Sequence, residues 1–586
     1  MKNFYDKYIY RYIHETDPKR RPFVVIPAAF FSLFMVLGYS YSETNSWSLV
    51  FGSGSVQLIK ACVKFAIFFV LFYYGICLLY YKFNAISFAE SSDEAVDEIP
   101  IKKLFNKYIN LISHYPVRTT FLTLFIVYIP YIIISYPAII MPDTVNQIVQ
   151  TYPELGYVAP EYLEGHLLSD QVYLNTHHSI AYTLMLRAFI QIATVIFHSF
   201  NVGLFLFALF QFFFILFGIS YAIKILVEKT TVPDKYTFLI ILYYIFSPCI
   251  QNYMFLLSKD VIYAVFMLYF ILSLYLMITK PERKYYILFA VSGLGLILFR
   301  NEARYILIIA LPVLALLCRQ LRKFFLIYLI GVIGFSILFF HVLLPICRVT
   351  PGSIREALSV PFQQTARYVT EYEADVTDEE REAIDAVLIY EFLADYYYPD
   401  LSDFVKSTYR EGSTRADLFR YFKVWFQMFW KHPDSYIQAF INNYYYHFYP
   451  GPILFYEYYY SDSAKCMILL NNIMGSIGSD FHHPTALYNA SIQYEILREN
   501  YMYIPPIVLL MYSPTYTWTL ILLLLYGIYK KMPKAISLLI IPVLVLCMCL
   551  VSPCNGFYFR YLYPIVFIFP ILILLYFCIK NIAQSD

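Results

Sequence analysis

SIAYTLMLRAFIQIATVIF, residues 179–197, is largely apolar and carries one charge, Arg187, near its centre. Whether it crosses a bilayer decides on which side every later loop lies. If it crosses, KILVEKTTVPDK (224–235) faces outward with three lysines, and the basic loops KPERK (280–284), CRQLRK (318–323) and KKMPK (530–534) invert with it. If it does not, all four face the cytoplasm, as the positive-inside rule expects. An arginine at the bilayer midplane is also costly. The stretch is therefore read as a helix lying in, or dipping into, the outer interface.

The rest of the chain makes the bilayer its solvent. Of 586 residues, 60% are hydrophobic and 14% charged, against about 45–50% and about 25% in ordinary soluble domains. Apolar runs long enough to span stand near 22–41, 57–81, 119–141, 202–227, 236–257, 261–279, 285–299, 304–318, 324–346, 506–529, 534–552 and 561–579. The expectation is an all-α, polytopic integral membrane protein with about 12 transmembrane helices. DPKRRP (17–22) puts the N-terminus inside, as does the loop 82–118 with Lys82, Lys102, Lys103, Lys107 and Arg118. Glu154, Glu161, Glu164 and Asp170 mark the next loop as outside. Both termini are then cytoplasmic. The segment before the first apolar run is too polar and too long for a cleavable signal.

A net charge of +2 argues against a nucleic-acid partner. Most of the ten cysteines lie in apolar runs without zinc-site spacing and read as buried thiols. A disulfide is open to Cys347, Cys466 and Cys554 if they lie outside.

The chain divides into an N-terminal segment with two spans (1–118), a membrane core (119–346) whose first external loop is 142–201, an external region (347–505) and three C-terminal spans (506–586). The external region is expected to be mainly helical, with apolar faces resting on the membrane. In 417–448 aromatics recur at helical spacing, and Pro433 marks a second helix start. The Tyr-rich run NNYYYHFYPGPILFYEYYY (442–460) suggests a layer at headgroup level.

Polar residues gather where apolar runs end on the outer side. In PDTVNQIVQ (142–150), Pro142 suits a first helical position and Asp143 its first turn. Asp143, Asn146, Gln147 and Gln150 then form one polar stripe, with Val145, Ile148 and Val149 opposite. His177 and His178 precede the interfacial helix, Lys259-Asp260 joins two spans, and Arg300, Asn301, Glu302 and Arg304 form another hairpin. Arg560 heads the last span. Taken singly, each is a solvated loop or a helix-start charge. Together they offer carboxylates, imidazoles and arginines suited to holding a phosphate and activating a hydroxyl.

These residues resemble the GT-C glycosyltransferase superfamily, polytopic enzymes that use polyprenyl-phosphate sugars. More narrowly, PDTVNQIVQ, HHS (177–179), KD (259–260), RNEAR (300–304), PFQQTARY (361–368) and FRYLYP (559–564) resemble a family of uncharacterised bacterial multi-spanning membrane proteins near that superfamily. The resemblance covers roughly 118–370 and the final spans. It implies a GT-C-like fold and sugar transfer from a lipid-linked donor to a cell-surface glycan, lipid or protein outside the cytoplasmic membrane. It makes Asp143 and Asp260 the catalytic acidic positions. Lys259, Arg300, Arg304, Arg560, Gln147, His177 and His178 are expected on substrate and phosphate. A divalent cation, Mg or Mn, has Asp143, Asp260 and His178 as candidate ligands, though no spacing rule demands one.

Two other classes stand beside the enzyme. A lipid-linked glycan transporter or flippase predicts ionisable residues deep in spans, broken helices and pseudo-symmetric halves; Lys60, Lys64 and His341 are the few in-span candidates. A non-catalytic cell-envelope assembly protein predicts polar clusters that do not converge.

Overall fold

A computed structural model describes residues 18–52, 54–86, 88, 100–152, 174–451, 460–551 and 558–585. Glu154, Glu161, Glu164, Asp170, Cys554 and residues 452–459 of the Tyr-rich run lie outside the described residues. Among those described, regular structure is helical and β pairing is limited to isolated bridges.

Eight described helices are long and apolar enough to cross a membrane, or nine if the bent pair Asp234–Phe246 and Pro248–Phe255 is one span. This differs from the twelve expected. Arg283–Phe299, Ser513–Tyr529 and Pro533–Cys549 have 17 residues each and Ala303–Leu317 has 15. At about 1.5 Å per residue they fall short of a hydrocarbon core about 30 Å thick. The run at 236–257 bends by 65° at Ser247, because Pro248 holds its predecessor extended and cannot continue the ladder. Ile180–Phe197, read above as interfacial, is among the eight by length and composition.

The Lys259–Thr279 helix is the axis of the bundle. Of its apolar window 89% is buried inside the protein, against 11% for Ser55–Ala85 and 6% for the Arg319–Ile346 span. Small residues let neighbours reach it. A Cβ on Gly218 would stand 2.9 Å from Val265, and one on Gly295 would run into the Phe266 ring. Exposed aliphatic and aromatic side chains cover the two peripheral helices, as lipid contact requires.

The two ends of the bundle differ in charge. At one end Ser113 bonds Asp234, Phe88 packs on Tyr236, and the Gln320 amide donates to the Ile278 carbonyl. There Lys580 donates to the carbonyls of Phe83, Asn84 and Ile86, and Tyr526 donates to Asn84. The described parts of 82–118 and the basic loops 224–235, 280–284, 318–323 and 530–534 therefore share that end. The segments bearing Asp143, Asp260, Arg300 and Arg560 share the other.

The Ile180–Phe197 helix begins at the second end, where the Ser179 hydroxyl donates to the Leu298 carbonyl at 2.6 Å. It leads directly into Phe200–Lys229, which runs alongside Lys259–Thr279 in the same direction: Gln211 donates to Leu256 O, Gly218 abuts Val265 and Tyr221 packs on Tyr269. Both ends of Ile180–Phe197 thus lie toward the end that carries the carboxylates. Arg187 stacks 3.6 Å above the Tyr152 ring.

The region 347–505 is helical but divided. Phe362, Tyr368, Ile384, Leu388, Tyr421, Met428 and Tyr436 form a core separate from the main one. Pro433 does start a helix, Pro433–Tyr444. Tyr460–Met474 and Thr485–Tyr501 instead buttress the membrane core: Ser463 accepts from the Ile140 N–H, and Tyr460 pairs with Ser135 at 2.6 Å. Tyr444, Tyr445 and Tyr446 are buried, with Tyr445 against Tyr41. That part of the Tyr-rich run is packed inside the protein rather than spread at headgroup level.

Candidate functional site

Two chain segments with the same local design meet at the end of the bundle opposite the basic loops. The Ile139 N–H donates to Phe255 O at 3.1 Å, and the Leu257 N–H donates to Ile139 O at 2.8 Å, so Ile139 and Leu256 form a parallel bridge. The Thr144 hydroxyl donates to Leu257 O at 2.9 Å and locks the pair. Four residues beyond each bridge residue stands an aspartate in the first turn of a helix: Asp143 in Pro142–Val149 and Asp260 in Lys259–Thr279. A helix N-terminus favours the ionised carboxylate.

Asp143 keeps 23% side-chain exposure and accepts from Arg560 Nη1 at 2.8 Å. Its Oδ2 lies 3.7 Å from His178 Nδ1. Burial alone would raise its pKa. Arg560, with Lys259 behind it, outweighs burial and holds the carboxyl well below the usual range. Lys259 Nζ stands 3.2 Å from His178 Nδ1. An ammonium can only donate, so the hydrogen-bond network assigns the ring proton to Nε2. That nitrogen is buried without a hydrogen-bond partner. Burial pushes His178's pKa well below its ordinary value against the pull of Asp143, which leaves the imidazole neutral.

Asp260 is enclosed. Its side chain is 2% exposed and lies 3.4 Å from Arg300 Nε, and its Oδ2 accepts from the Ser258 hydroxyl at 3.1 Å. Arg300 Nη2 also meets Glu302 at 2.6 Å, and its guanidinium sits 5.3 Å from the Tyr263 ring. Burial would raise the pKa of Glu302, but Arg300 and Lys259 bring it below the ordinary value. Tyr561 joins the two pairs: Arg300 lies 5.7 Å and Arg560 4.9 Å from its ring centre, and its hydroxyl accepts from Arg560 Nη2 at 2.8 Å.

The region 347–505 reaches this cluster. Thr176 donates its N–H to Thr350 O, and its hydroxyl accepts from the Gly352 N–H. A Cβ on Gly352 would come within 3.1 Å of the His177 backbone, so residues 350–352 form a strap that lies directly on His177. Burial lowers the pKa of His177, and Glu356 and Lys406 of the external region are among the charges it feels. Lys406 is itself tied to Glu356 at 2.7 Å and Asp403 at 2.6 Å.

Of the residues expected from sequence, Asp143, His177, His178, Lys259, Asp260, Arg300 and Arg560 form this connected network. Gln147 is buried and donates to the Thr183 hydroxyl, while Gln150 accepts from the Asn175 N–H. The polar stripe therefore ties the Asp143 helix to its neighbours. Val145, Ile148 and Val149 are buried as well, so this helix is not an interfacial one with a wet face. Arg304 turns elsewhere, stacking 4.0 Å from the Phe340 ring and donating to the Tyr305 hydroxyl. Side chains at i and i+4 share a helix face, but Arg300 ends one helix and Arg304 lies in the next, so that rule does not apply.

Among the described residues, no three His, Cys, Asp or Glu side chains gather as a metal-ligand group. Asp143, Asp260 and His178 are instead each engaged by a cation: Arg560, Arg300 and Lys259. Cys347 and Cys466 are free thiols. Sequence reasoning missed Tyr561, although FRYLYP contains it, and Lys406, which no local pattern marks.

No curated protein and no solved structure matches the chain. The model of a protein family of unknown function, DUF6020, matches residues 18–585, and the protein belongs to that family.

Proposed function

We propose that this protein is a GT-C-type glycosyltransferase that moves a sugar from a polyprenyl-phosphate donor to a cell-surface acceptor at the outer face of the cytoplasmic membrane. The observation that carries this reading is Asp143: an ionised, partly exposed carboxylate at one end of an apolar bundle, beside Arg560, His178 and Lys259. In the reaction Asp143 takes the proton of the acceptor hydroxyl. The acceptor oxygen bonds to the anomeric carbon, and the bond from that carbon to the phosphate oxygen breaks. Polyprenyl phosphate leaves, and Lys259, Arg300 or Arg560 offsets the charge that develops on it. The buried Nε2–H of His178 is a further donor for an oxyanion. The proposal includes the twelve-crossing topology, with the four short helices crossing and Ile180–Phe197 lying in the outer leaflet. A cysteine placed at Thr231 in a cysteine-free background should then resist impermeant reagents in intact cells; ready labelling from outside removes the topology.

The transfer itself is tested by deleting the protein from its host. Cells should accumulate a polyprenyl-phosphate sugar and lose one envelope glycan modification. Wild type should restore both and Asp143→Asn neither; full restoration by Asp143→Asn removes the assignment. One observation favours a second reading, a lipid-linked glycan flippase: the 65° break at Ser247, of the kind transporters use. Release of free polyprenyl phosphate by the purified protein separates the two, since a flippase breaks no glycosidic bond.

A further inference from the structure

The external region carries an aromatic face that its own core does not use. In the helix Arg415–Lys431, Tyr421, Val424 and Met428 point inward and are buried. Phe419, Phe426 and Trp430 recur at i, i+7 and i+11, one narrow stripe on the other side, and are 76%, 54% and 69% exposed. Lys423 stands on the same stripe, paired with Glu379 at 3.6 Å, and Arg415 and Arg420 lie at its end and flank, while Lys431 is tied to Glu380 at 2.8 Å. Three exposed large aromatics on one turn-by-turn line exceed the scattered exposure expected of a water-facing helix.

We propose that this helix is a membrane anchor of the external region, lying in the outer headgroup layer with Phe419, Phe426 and Trp430 in the acyl boundary. Two observations favour lipid over a protein occupant. First, the helix that follows the stripe packs beside the lipid-facing surface of the bundle. The next helix, Pro433–Tyr444, has Ile437 and Phe440 exposed, and its Gln438 accepts from the N–H of Trp47 at the outer end of the Arg21–Thr44 span. Trp47 packs on exposed Phe51, which leads into the lipid-exposed Ser55–Ala85 helix. Second, the chemistry is that of an interfacial helix: large aromatics on the apolar side, with Arg415 and Arg420 beside them to meet anionic headgroups. The proposal is independent of the transferase reading. It moors the core that carries Lys406 and Glu356, and so the strap over His177, to the bilayer beside the site.

The test uses the full chain in proteoliposomes and the emission of Trp430, read as the difference between wild type and Trp430→Phe. Phospholipid brominated in its acyl chains should quench that difference emission, and aqueous iodide on both sides should leave most of it. A tryptophan introduced as Phe426→Trp in the Trp430→Phe background should behave alike, which guards against a local effect of one variant. Quenching by iodide with no response to brominated lipid overturns the proposal, because the stripe then faces water. Shielding from both quenchers overturns it as well, because the stripe is then covered by protein.

Discussion

The Asp143 and Asp260 segments share a design and differ in surroundings. Each aspartate follows a residue of the same parallel bridge by four positions and opens a helix. Asp260 is enclosed, with Ser258 and Arg300 on its oxygens and Glu302 and Tyr263 fixing Arg300 in turn. Asp143 remains partly open and is held by Arg560 from a distant part of the chain. Equal sequence logic thus yields one carboxylate that stays partly open and one that is enclosed against an arginine. A helix start fixes the charge; the number of partners decides its task.

The comparison is broken most directly by removing the open carboxylate. Asp143→Asn should lower transfer by about 10²–10⁴-fold, the range of a general base, with the folded protein retained in detergent. Asp260→Asn should do nearly the reverse. It leaves the Arg300–Glu302 pair buried without its second carboxylate, and breaking such a buried pair costs about 3–5 kcal/mol, read as a drop in thermal unfolding temperature and expression. Equal effects of the two variants on activity and stability would erase the distinction.

Arg560→Ala sharpens it through pH. Arg560 is the chief group lowering the pKa of Asp143, so its loss should raise that pKa. Activity that needs the ionised form should then fall at a higher pH on the acidic side than in wild type. The stability linked to this carboxylate is present above its unfolded pKa and disappears as pH falls through the folded one, so that loss should also begin at higher pH. An unmoved acidic limb would mean that Asp143 is not the titrating base. The smallest effect belongs to Arg304→Ala, which removes a cation–π contact with Phe340 worth about 0.5–1 kcal/mol and should leave transfer within about threefold of wild type, a difference below about 0.7 kcal/mol. A loss as deep as that of Asp143→Asn would place Arg304 in the site after all.

Local patterns carried much of this. Composition and long apolar runs establish a many-helix membrane protein, because transfer of apolar surface out of water depends on residue type alone. Lysine placement separates the two ends of the bundle, and Pro142 and Pro433 mark helix starts because a missing N–H acts locally. PDTVNQIVQ, KD, RNEAR and FRYLYP supplied seven of the network's residues together with HHS, since span ends on one side of a membrane are brought level by the bilayer itself. Tertiary structure alone decided which of them meet. The Ile139–Leu256 bridge, the Arg560–Asp143 pair and the approach of Lys406 join residues more than a hundred positions apart. Arg304 and Gln147 turned to other partners for the same reason: a side chain's direction depends on the packing of its helix against others, which no single segment specifies.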